Sequence, residues 1–363
     1  MRTRNLSVPI GKVATIRDVA QFAGVSVATV SRVVNSTCVV RKQTSEAVYQ
    51  AAKSLGFRPN LMGRNLRSTR TKTIGVMLPM LNHPVFAECL QGIETAAQYS
   101  RHVVAVSSSG YLPELEERSS EVLLQQRVDG LILTVADAAC NPVLDKLDAE
   151  GIPYVLVFNQ AAPGASSLTY PRPSVCVDNH LASRDLVNYL IELGHFDIHM
   201  VAGQFRQSDR SRQRFAGYME AMTDADLVWR APLELPFNTA DTRSELLKLL
   251  HAKETPTALF CSNDQLAMTV IRDLHLLGLR VPQDVSVVGF DGVQVGQWMT
   301  PVLTTMVQPT ADIGRIAVDH LLQIIAGERH SAPAVLPHTL RVGGTAQRYV
   351  SPVSPFNLKR KLR

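Results

Sequence analysis

Hydrophobic positions along this chain change their period once, near residue 74. Before that point they recur at helical spacing. Val19, Ala20 and Phe22 form one apolar stripe, and Val30, Val33 and Val34 form a second. Ala47, Val48, Ala51, Ala52 and Leu55 form a third, predicting a helix over Gln43–Leu55. The pattern between Thr15 and Asn35 therefore predicts two short amphipathic helices. They meet at Ala23-Gly24-Val25-Ser26, where Gly24 tolerates the positive φ of a sharp turn. Ser26 supplies a hydroxyl to cap the second helix. This is the pattern of a helix-turn-helix, whose second helix enters a DNA major groove. The pattern alone also suits an ordinary helical hairpin in a small bundle. Phe57-Arg58-Pro59-Asn60 breaks the third helix, Asn60 is placed to cap a short segment Leu61–Leu66, and Arg67 to Lys72 reads as a polar basic linker.

From Ile74 onward the apolar residues form short continuous runs. They fall at 74–79, 102–109, 130–135 and 154–159, separated by helix-length segments such as Phe86–Tyr99 and Glu114–Gln126. The alternation resumes with strands predicted at 174–179, 199–203, 258–263 and 285–291. Helices are predicted near His180–Leu193, Arg210–Met222, Asp264–Leu277 and Asp312–Ala326. Such runs belong to parallel strands covered on both faces. The fold class is α/β: a small all-α head, then a body of two doubly wound lobes. The two halves are expected to follow one another, with a ligand cleft between them.

Charge sharpens this division. Residues 1–73 hold 13 basic and 2 acidic residues, a net of +11; the remainder holds 24 and 30, a net of −6. A basic head beside a mildly acidic body predicts a polyanion partner for the head. The head lacks the continuous basic amphipathic helix of a membrane-surface segment. Cysteines at 38, 89, 140, 176 and 261 form no CxxC or zinc-finger spacing, so they read as buried free thiols in a reducing compartment. No secretory leader and no run of 18 apolar residues is found, so the expected location is the cytoplasm, in association with the nucleoid.

In open parallel sheets, ligands sit beyond the carboxyl ends of the strands. Asn159, Asp178-Asn179, Asn263-Asp264 and Asp291 end predicted strands. Short carboxylates and amides there suit recognition of ligand hydroxyls. Capping of the following helix is the alternative for each. No nucleophile elbow, P-loop or dinucleotide fingerprint is present, and no His/Asp/Glu cluster has metal spacing. No enzyme activity, cofactor or metal is expected.

Over residues 14–350 these motifs resemble the lactose/galactose-repressor family of bacterial transcription regulators. The head stretch TIRDVAQFAGVSVATVSRVVN carries the likeness most specifically. In the body, SRQRFAGYMEAM (211–222), CSNDQLAM (261–268), GLRVPQDVSVVGFDG (278–292) and PVLTTMVQP (301–309) resemble its landmarks. The resemblance implies a homodimer that binds a palindromic operator in double-stranded DNA. A small polar metabolite in a cleft like that of periplasmic binding proteins would control its affinity. A repressor is the reading, with an activator or dual regulator of the same family as the alternative. A solute-binding protein without regulatory role is more remote, because the basic head opposes it.

Residue by residue, the resemblance places Thr15, Ser26, Val27, Ala28, Thr29, Ser31, Arg32 and Asn35 at the DNA. Val27, Ala28 and Arg32 are expected to read bases; Thr29 and Ser31 are expected to touch phosphate. Segment 59–67 matches the family's hinge helix, with Asn60, Gly63, Arg64 and Leu66 at the minor groove and Leu66 as the kinking wedge. Many members carry Ala where this chain has Gly63. For the effector, the matching residues are Phe86, Asn159, Arg214, Asp264, Asp291 and Trp298, with His83 and Arg212 as weaker candidates. The start of the second helix resembles galactose repressors, residues 78–94 gluconate-type regulators, and the hinge a cytidine regulator. The ligand class therefore stays open among sugar, sugar acid and nucleoside. The domain plan is a disordered basic arm (1–13), the helix-turn-helix domain (14–58), hinge helix and linker (59–72), the two-lobed body (73–350) and a basic tail (351–363). That tail has no leucine heptad, so the four-helix tetramerisation tail of some family members is absent and a dimer is the expectation.

Overall fold

The structure, a computed structural model, describes residues 14–35, 40–57, 70–160, 171–237, 239–251, 255–328 and 333–350. The chain separates into two compact units, Met1–Thr71 and Lys72–Arg363. The arm 1–13, the hinge residues Asn60, Gly63, Arg64 and Leu66, Cys38 and the tail 351–363 lie outside the described residues.

The first unit holds α1 (Ile16–Ala23), α2 (Val27–Asn35) and α3 (Lys42–Ser54). Thr15 and Asp18 form a capping box at the start of α1. Gly24 ends that helix at φ 65°, the left-handed conformation the turn requires. Ser26 caps α2 by accepting from the Thr29 amide at 3.1 Å. Val19, Ala20, Val30, Val33, Val48 and Ala51 are buried together as the core. Phe22, expected in that core, is 46% exposed. Ile16, Val19, Ala20 and Ala23 repeat at three and four residues and take the inward stripe, so Phe22 falls beside it. Ala47 is likewise exposed.

The second unit runs β1 (Thr73–Leu78), α4 (Pro84–Tyr99), β2 (Val103–Ser108), α5 (Pro113–Gln125), β3 (Gly130–Leu133), α6 (Pro142–Glu150), β4 (Tyr154–Val157), β5 (Ser174–Val177) and α7 (Asn179–Glu192). Next come β6 (Ile198–Gly203), α8 (Asp209–Asp224), β7 (Leu233–Leu235), α9 (Arg243–Leu250), β8 (Ala258–Cys261), α10 (Asp264–Leu276) and β9 (Ser286–Asp291). The last elements are β10 (Thr304–Val307), α11 (Thr310–Ile325), β11 (Ala334–Leu336) and β12 (Thr339–Arg341). Two six-stranded sheets result, ordered β11-β5-β4-β3-β1-β2 and β12-β10-β9-β8-β6-β7. Among the described residues all strand pairs are parallel except β10 with β12.

Each sheet is covered on both faces, which explains its continuous apolar runs. From β1, Ile74, Val76 and Leu78 pack towards α4 and α11, while Met77 packs towards α6. From β9, Val288 and Phe290 join α7 and α8, while Val287 joins α10.

The halves do not simply follow one another. Strand β5, expected to open the second half, completes the first sheet, and α11 returns to pack on the first lobe. The chain crosses between lobes after β5, after β10 and after β11. A buried strand reads the same whichever sheet it joins, so the apolar pattern carries no sign of the crossings. Helices α6 and α9, and strands β7, β10, β11 and β12, are additional to the sequence reading. Cys89, Cys176 and Cys261 are buried free thiols, whereas Cys140 is exposed because it lies in the loop before α6.

Candidate functional site

In the head, the start of α2 presents an exposed face. Burying Val30 and Val33 turns Val27, Ala28 and Arg32 outward, with Ser26 also exposed. Thr29 and Ser31 are half-buried, and Asn35 ends the helix. The Ser26 hydroxyl is engaged with both Thr29 groups, its amide and its hydroxyl. Ser26 thus serves the helix as a cap, in addition to any outward role. Thr15 is likewise occupied as the cap of α1, donating from amide and hydroxyl to Asp18.

In the body, a pocket lies beyond the carboxyl ends of the strands, enclosing ≈ 350 Å³ of empty volume, part of it open to solvent. The first lobe contributes His83, Val85, Phe86, Tyr111 and Phe158. The second contributes Ser208, Arg210, Ser211, Arg214, Phe237, Asn263 and Asp291, and the crossover after β10 adds Gln308. One wall is thus largely aromatic and the other charged and hydrogen-bonding. Phe86 meets Phe158 edge-on, with ring centroids 5.6 Å apart. Tyr111 stacks on Phe237 across the lobes, with centroids 4.0 Å apart and planes 4° from parallel. Gly203 makes room for the Phe237 ring, because a Cβ there would stand 2.2 Å from it.

Arg214 is held on every side. Its Nε donates to Asn179 Oδ1 at 2.9 Å, its Nη1 donates to the Ser262 carbonyl, and its guanidinium lies 3.7 Å over the Phe290 ring. Nη1 also lies 3.5 Å from Asp291 Oδ1. Burial lowers the Arg214 pKa to about 10 despite the carboxylate beside it. Asp291 accepts from Gln308 Nε2 at 2.8 Å, also on Oδ1. Burial pushes its carboxyl up to about 6, with Arg214 opposing that shift. Desolvation, followed by the Arg214 charge, lowers His83 to about 4, so it is neutral near pH 7. The arrangement offers a ligand guanidinium donors, a carboxylate acceptor, amides and hydroxyls before an aromatic wall. That combination grips hydroxyl-rich edges and apolar ring faces.

The pocket unites three of the six effector residues matched in sequence: Phe86, Arg214 and Asp291. Asn159 does not line it. Its amide is committed inside, donating to the Val135 carbonyl at 2.9 Å and to Asp209 at 2.8 Å, and accepting from the Val135 amide at 2.9 Å. Asp264 also lies behind the lining. It accepts from the Val293 amide at 2.8 Å and from the Thr305 hydroxyl, tying α10 to the ends of β9 and β10. Burial, with Asp291 nearby, pushes its carboxyl up to about 8. Trp298 follows a single turn of 3-10 helix, Gln294–Gln297, and is 72% exposed, so it is no wall of this pocket. Asp178 and Asn263 cap α7 and α10, accepting from Leu181 and Leu266 amides. Of the two weaker candidates, His83 lines the pocket, whereas Arg212 pairs with Asp137 and the Phe205 carbonyl.

Arg210, Tyr111, Phe237 and Gln308 are pocket residues absent from the sequence reading. Arg210 had a local signal, since it precedes Arg214 by four residues on α8 and shares its face. Tyr111 and Phe237 had none, because their stacking joins different lobes. Several bonds hold the lobes together around the pocket. The Asp209 amide donates to the Ala136 carbonyl at 2.8 Å, and Arg210 Nη1 donates to the Val135 carbonyl at 2.9 Å. Among the described residues no helix is long and apolar enough to cross a membrane, and no group of His, Cys, Asp or Glu is placed to hold a metal ion.

Residues 15–60 match the bacterial regulatory proteins of the lacI family, and residues 187–346 match a periplasmic binding protein-like domain. The chain is similar to the HTH-type transcriptional repressor PurR of Erwinia tasmaniensis, with 33% identity over 89% of this chain and 93% of that one. It is similar to catabolite control protein A of Priestia megaterium, with 34% identity over 90% and 97%. Among solved structures, the lac repressor dimer bound to operator and the anti-inducer ONPF superposes with a TM-score of 0.79. That match has 30% identity and covers 93% of this chain and all of that one. Helix-turn-helix head, two parallel-sheet lobes and full-length similarity lead to one assignment: this chain belongs to the lacI family of bacterial transcription regulators, as a DNA-binding repressor under small-molecule control.

Proposed function

We propose that the chain works as a homodimer on a palindromic operator in the cytoplasm, associated with the nucleoid. Val27, Ala28 and Arg32 read base edges, while Thr15, Ser26, Thr29, Ser31 and Asn35 position the head on the backbone. Arg32 donates two hydrogen bonds to a guanine, and the small apolar pair packs on a thymine methyl. Asn60, Gly63, Arg64 and Leu66 form the hinge contact in the minor groove. The effector is a sugar, sugar acid or nucleoside held by Phe86, Arg214 and Asp291, with Asn159 and Asp264 bracing the residues around them. The observation that carries this reading is the pocket itself, where Arg214 and Asp291 face an aromatic wall supplied by the opposite lobe.

A ligand seated there touches both lobes and so favours one degree of closure. Only a difference in its affinity for two states of the body can shift the DNA-binding equilibrium. An inducer favours the state that releases DNA; a corepressor favours the one that holds it. The test has two steps. Operator sequences are selected from a random duplex library, and their affinity is read by fluorescence anisotropy. Sugars, sugar acids and nucleosides are then added. The reading holds if selection returns a palindrome and one compound class changes its affinity. Selection without sequence preference overturns the operator reading, and an affinity indifferent to every compound overturns the effector reading.

A further inference from the structure

An apolar face at the far end of the second lobe serves neither the DNA nor the pocket. It lies at the amino-terminal ends of the strands, whereas the pocket lies at their carboxyl ends. Phe196, in the loop before β6, is 52% exposed, and Trp229, between α8 and β7, is 46% exposed. Val228 beside it is also exposed. The Asp197–Arg230 pair, with Nε 3.5 Å from Oδ1, brings these two segments together. Tyr349 stands on the same loop, edge-on to Phe196 with ring centroids 5.3 Å apart, and its amide donates to the Leu193 carbonyl at 2.8 Å. Val350 follows it into solvent. The aromatics are held from behind. Trp229 meets Phe215 edge-on at 6.1 Å, and the Arg230 amide donates to the Tyr218 hydroxyl at 3.2 Å, which donates to the Ile198 carbonyl at 2.8 Å. A braced group of exposed apolar side chains is the mark of a surface that something covers.

The sequence supplies an occupant in the segment that follows Val350, outside the described residues. It reads SPVSPFNLKRKLR. Pro352-Val353-Ser354-Pro355 is a Pro-x-x-Pro run, which favours the polyproline II conformation. Such runs dock on aromatic-lined surfaces because they have little conformational freedom to lose. Phe356 and Leu358 add apolar side chains, and Lys359, Arg360, Lys361 and Arg363 add a basic cluster. Reach is sufficient: at about 3.1 Å per residue, Phe356 extends to roughly 19 Å from Val350. Only the Phe196 loop and the Asp197–Arg230 pair separate Tyr349 from Trp229. Charge agrees with this placement. Glu192 and Asp226 are exposed at the carboxyl ends of α7 and α8, where helix dipoles also favour cations, and Arg348 opposes them in part. Tethering at Val350 holds the segment at an effective concentration in the millimolar range, which an occupant in trans must exceed.

We propose that residues 351–363 fold back over this face, with Pro352 to Phe356 on Phe196, Tyr349 and Trp229 and the basic cluster towards the ends of α7 and α8. The chain then covers in cis a surface prone to association. The two tryptophans, Trp229 and Trp298, allow a direct test. On a Trp298→Phe background Trp229 is the sole indole, and its quenching by acrylamide reports whether the face is covered. Three proteins are compared: the full chain, a chain ending at Val350, and the full chain with Phe356→Ser. A segment held at millimolar effective concentration covers the ring most of the time, so truncation should raise the quenching constant about twofold or more. Phe356→Ser should give most of that rise without removing the segment, and it serves alone if the shortened chain does not fold. A synthetic peptide of residues 351–363, added to the shortened chain, should lower the quenching again. Equal quenching in all three proteins overturns the proposal. So does quenching that falls with protein concentration to the same extent in the full and shortened chains, since a second copy would then be the occupant. A rise on truncation that neither Phe356→Ser nor the added peptide reproduces or reverses also overturns it, because the loss would then be one of general stability.

Discussion

In the head, Val27, Ala28 and Arg32 stand in solvent on one short helix. In the body, the pocket gathers residues from His83 to Gln308, and its two arginines and its aspartate are buried. A polyanion is met by a surface whose groups remain hydrated until contact, so attraction there is long-ranged and sensitive to salt. A small ligand is met by groups desolvated in advance, so recognition there depends on exact pairing and is stiff towards substitution. One chain thus uses charge in two dielectric regimes. Each regime has its own way of failing.

Salt concentration offers the largest contrast. With roughly 6–10 phosphate contacts per dimer, affinity for duplex DNA should fall about 10³–10⁵-fold between 50 and 200 mM salt. Effector affinity, measured on the same protein over the same range, should change little, because burial shields the pocket. A flat response for DNA would remove the electrostatic account of the basic head.

The contrast in stiffness is tested at Arg214. Truncation to Ala leaves Asp291 buried beside an empty space, together with the Asn179 and Ser262 acceptors. Breaking a buried pair in this way costs about 3–5 kcal/mol. Urea unfolding of the body should show that loss, and the effector response should vanish. If stability is unchanged, the pair contributes little and the body is softer than its geometry implies.

The same contrast explains what the sequence disclosed. The helix-turn-helix could be read because its turn, cap and apolar stripes are local: Gly24, Ser26, Val30 and Val33 occupy neighbouring positions. The βα alternation was legible for the same reason. Arg214 and Asp291 were legible through the motifs around them. Asn159, Asp264 and Trp298 were matched by position, but sequence does not say whether a polar group faces inward to neighbours or outward to a ligand. The Tyr111–Phe237 stack and the lobe crossings at β5 and α11 were silent, since they depend on contacts between distant segments.

At the head, Arg32→Ala should cost about 1–3 kcal/mol at one base position per half-site and leave other positions unchanged. Stability should barely move, because the side chain is exposed. Binding measured across all single-base operator variants checks this. Uniform weakening would make Arg32 a phosphate contact, and the head would then read sequence through Val27 and Ala28 alone.

The smallest effect separates the regimes by pH. Asp264 has an ordinary carboxyl pKa of 3.8 in the unfolded chain and is pushed up to about 8 when buried. The folded state therefore binds a proton that the unfolded state has already released at neutral pH. Stability contributed by this group is full below pH 3.8 and declines as pH rises towards 8. Between pH 7 and 8 the body should lose on the order of 1 kcal/mol through this group, offset in part by the histidines with lowered pKa, which are neutral in the fold and shed their last protons in the unfolded chain over the same range. Asp264→Asn keeps the shape, cannot ionise, and should flatten that slope. Its absolute stability is a separate matter, because the amide offers one acceptor where the carboxyl serves both the Val293 amide and the Thr305 hydroxyl. Denaturant midpoints for both proteins at pH 7 and 8 give the comparison. Equal slopes would mean that Asp264 is ionised in the fold and that the buried layer behind the pocket is better solvated than its packing implies.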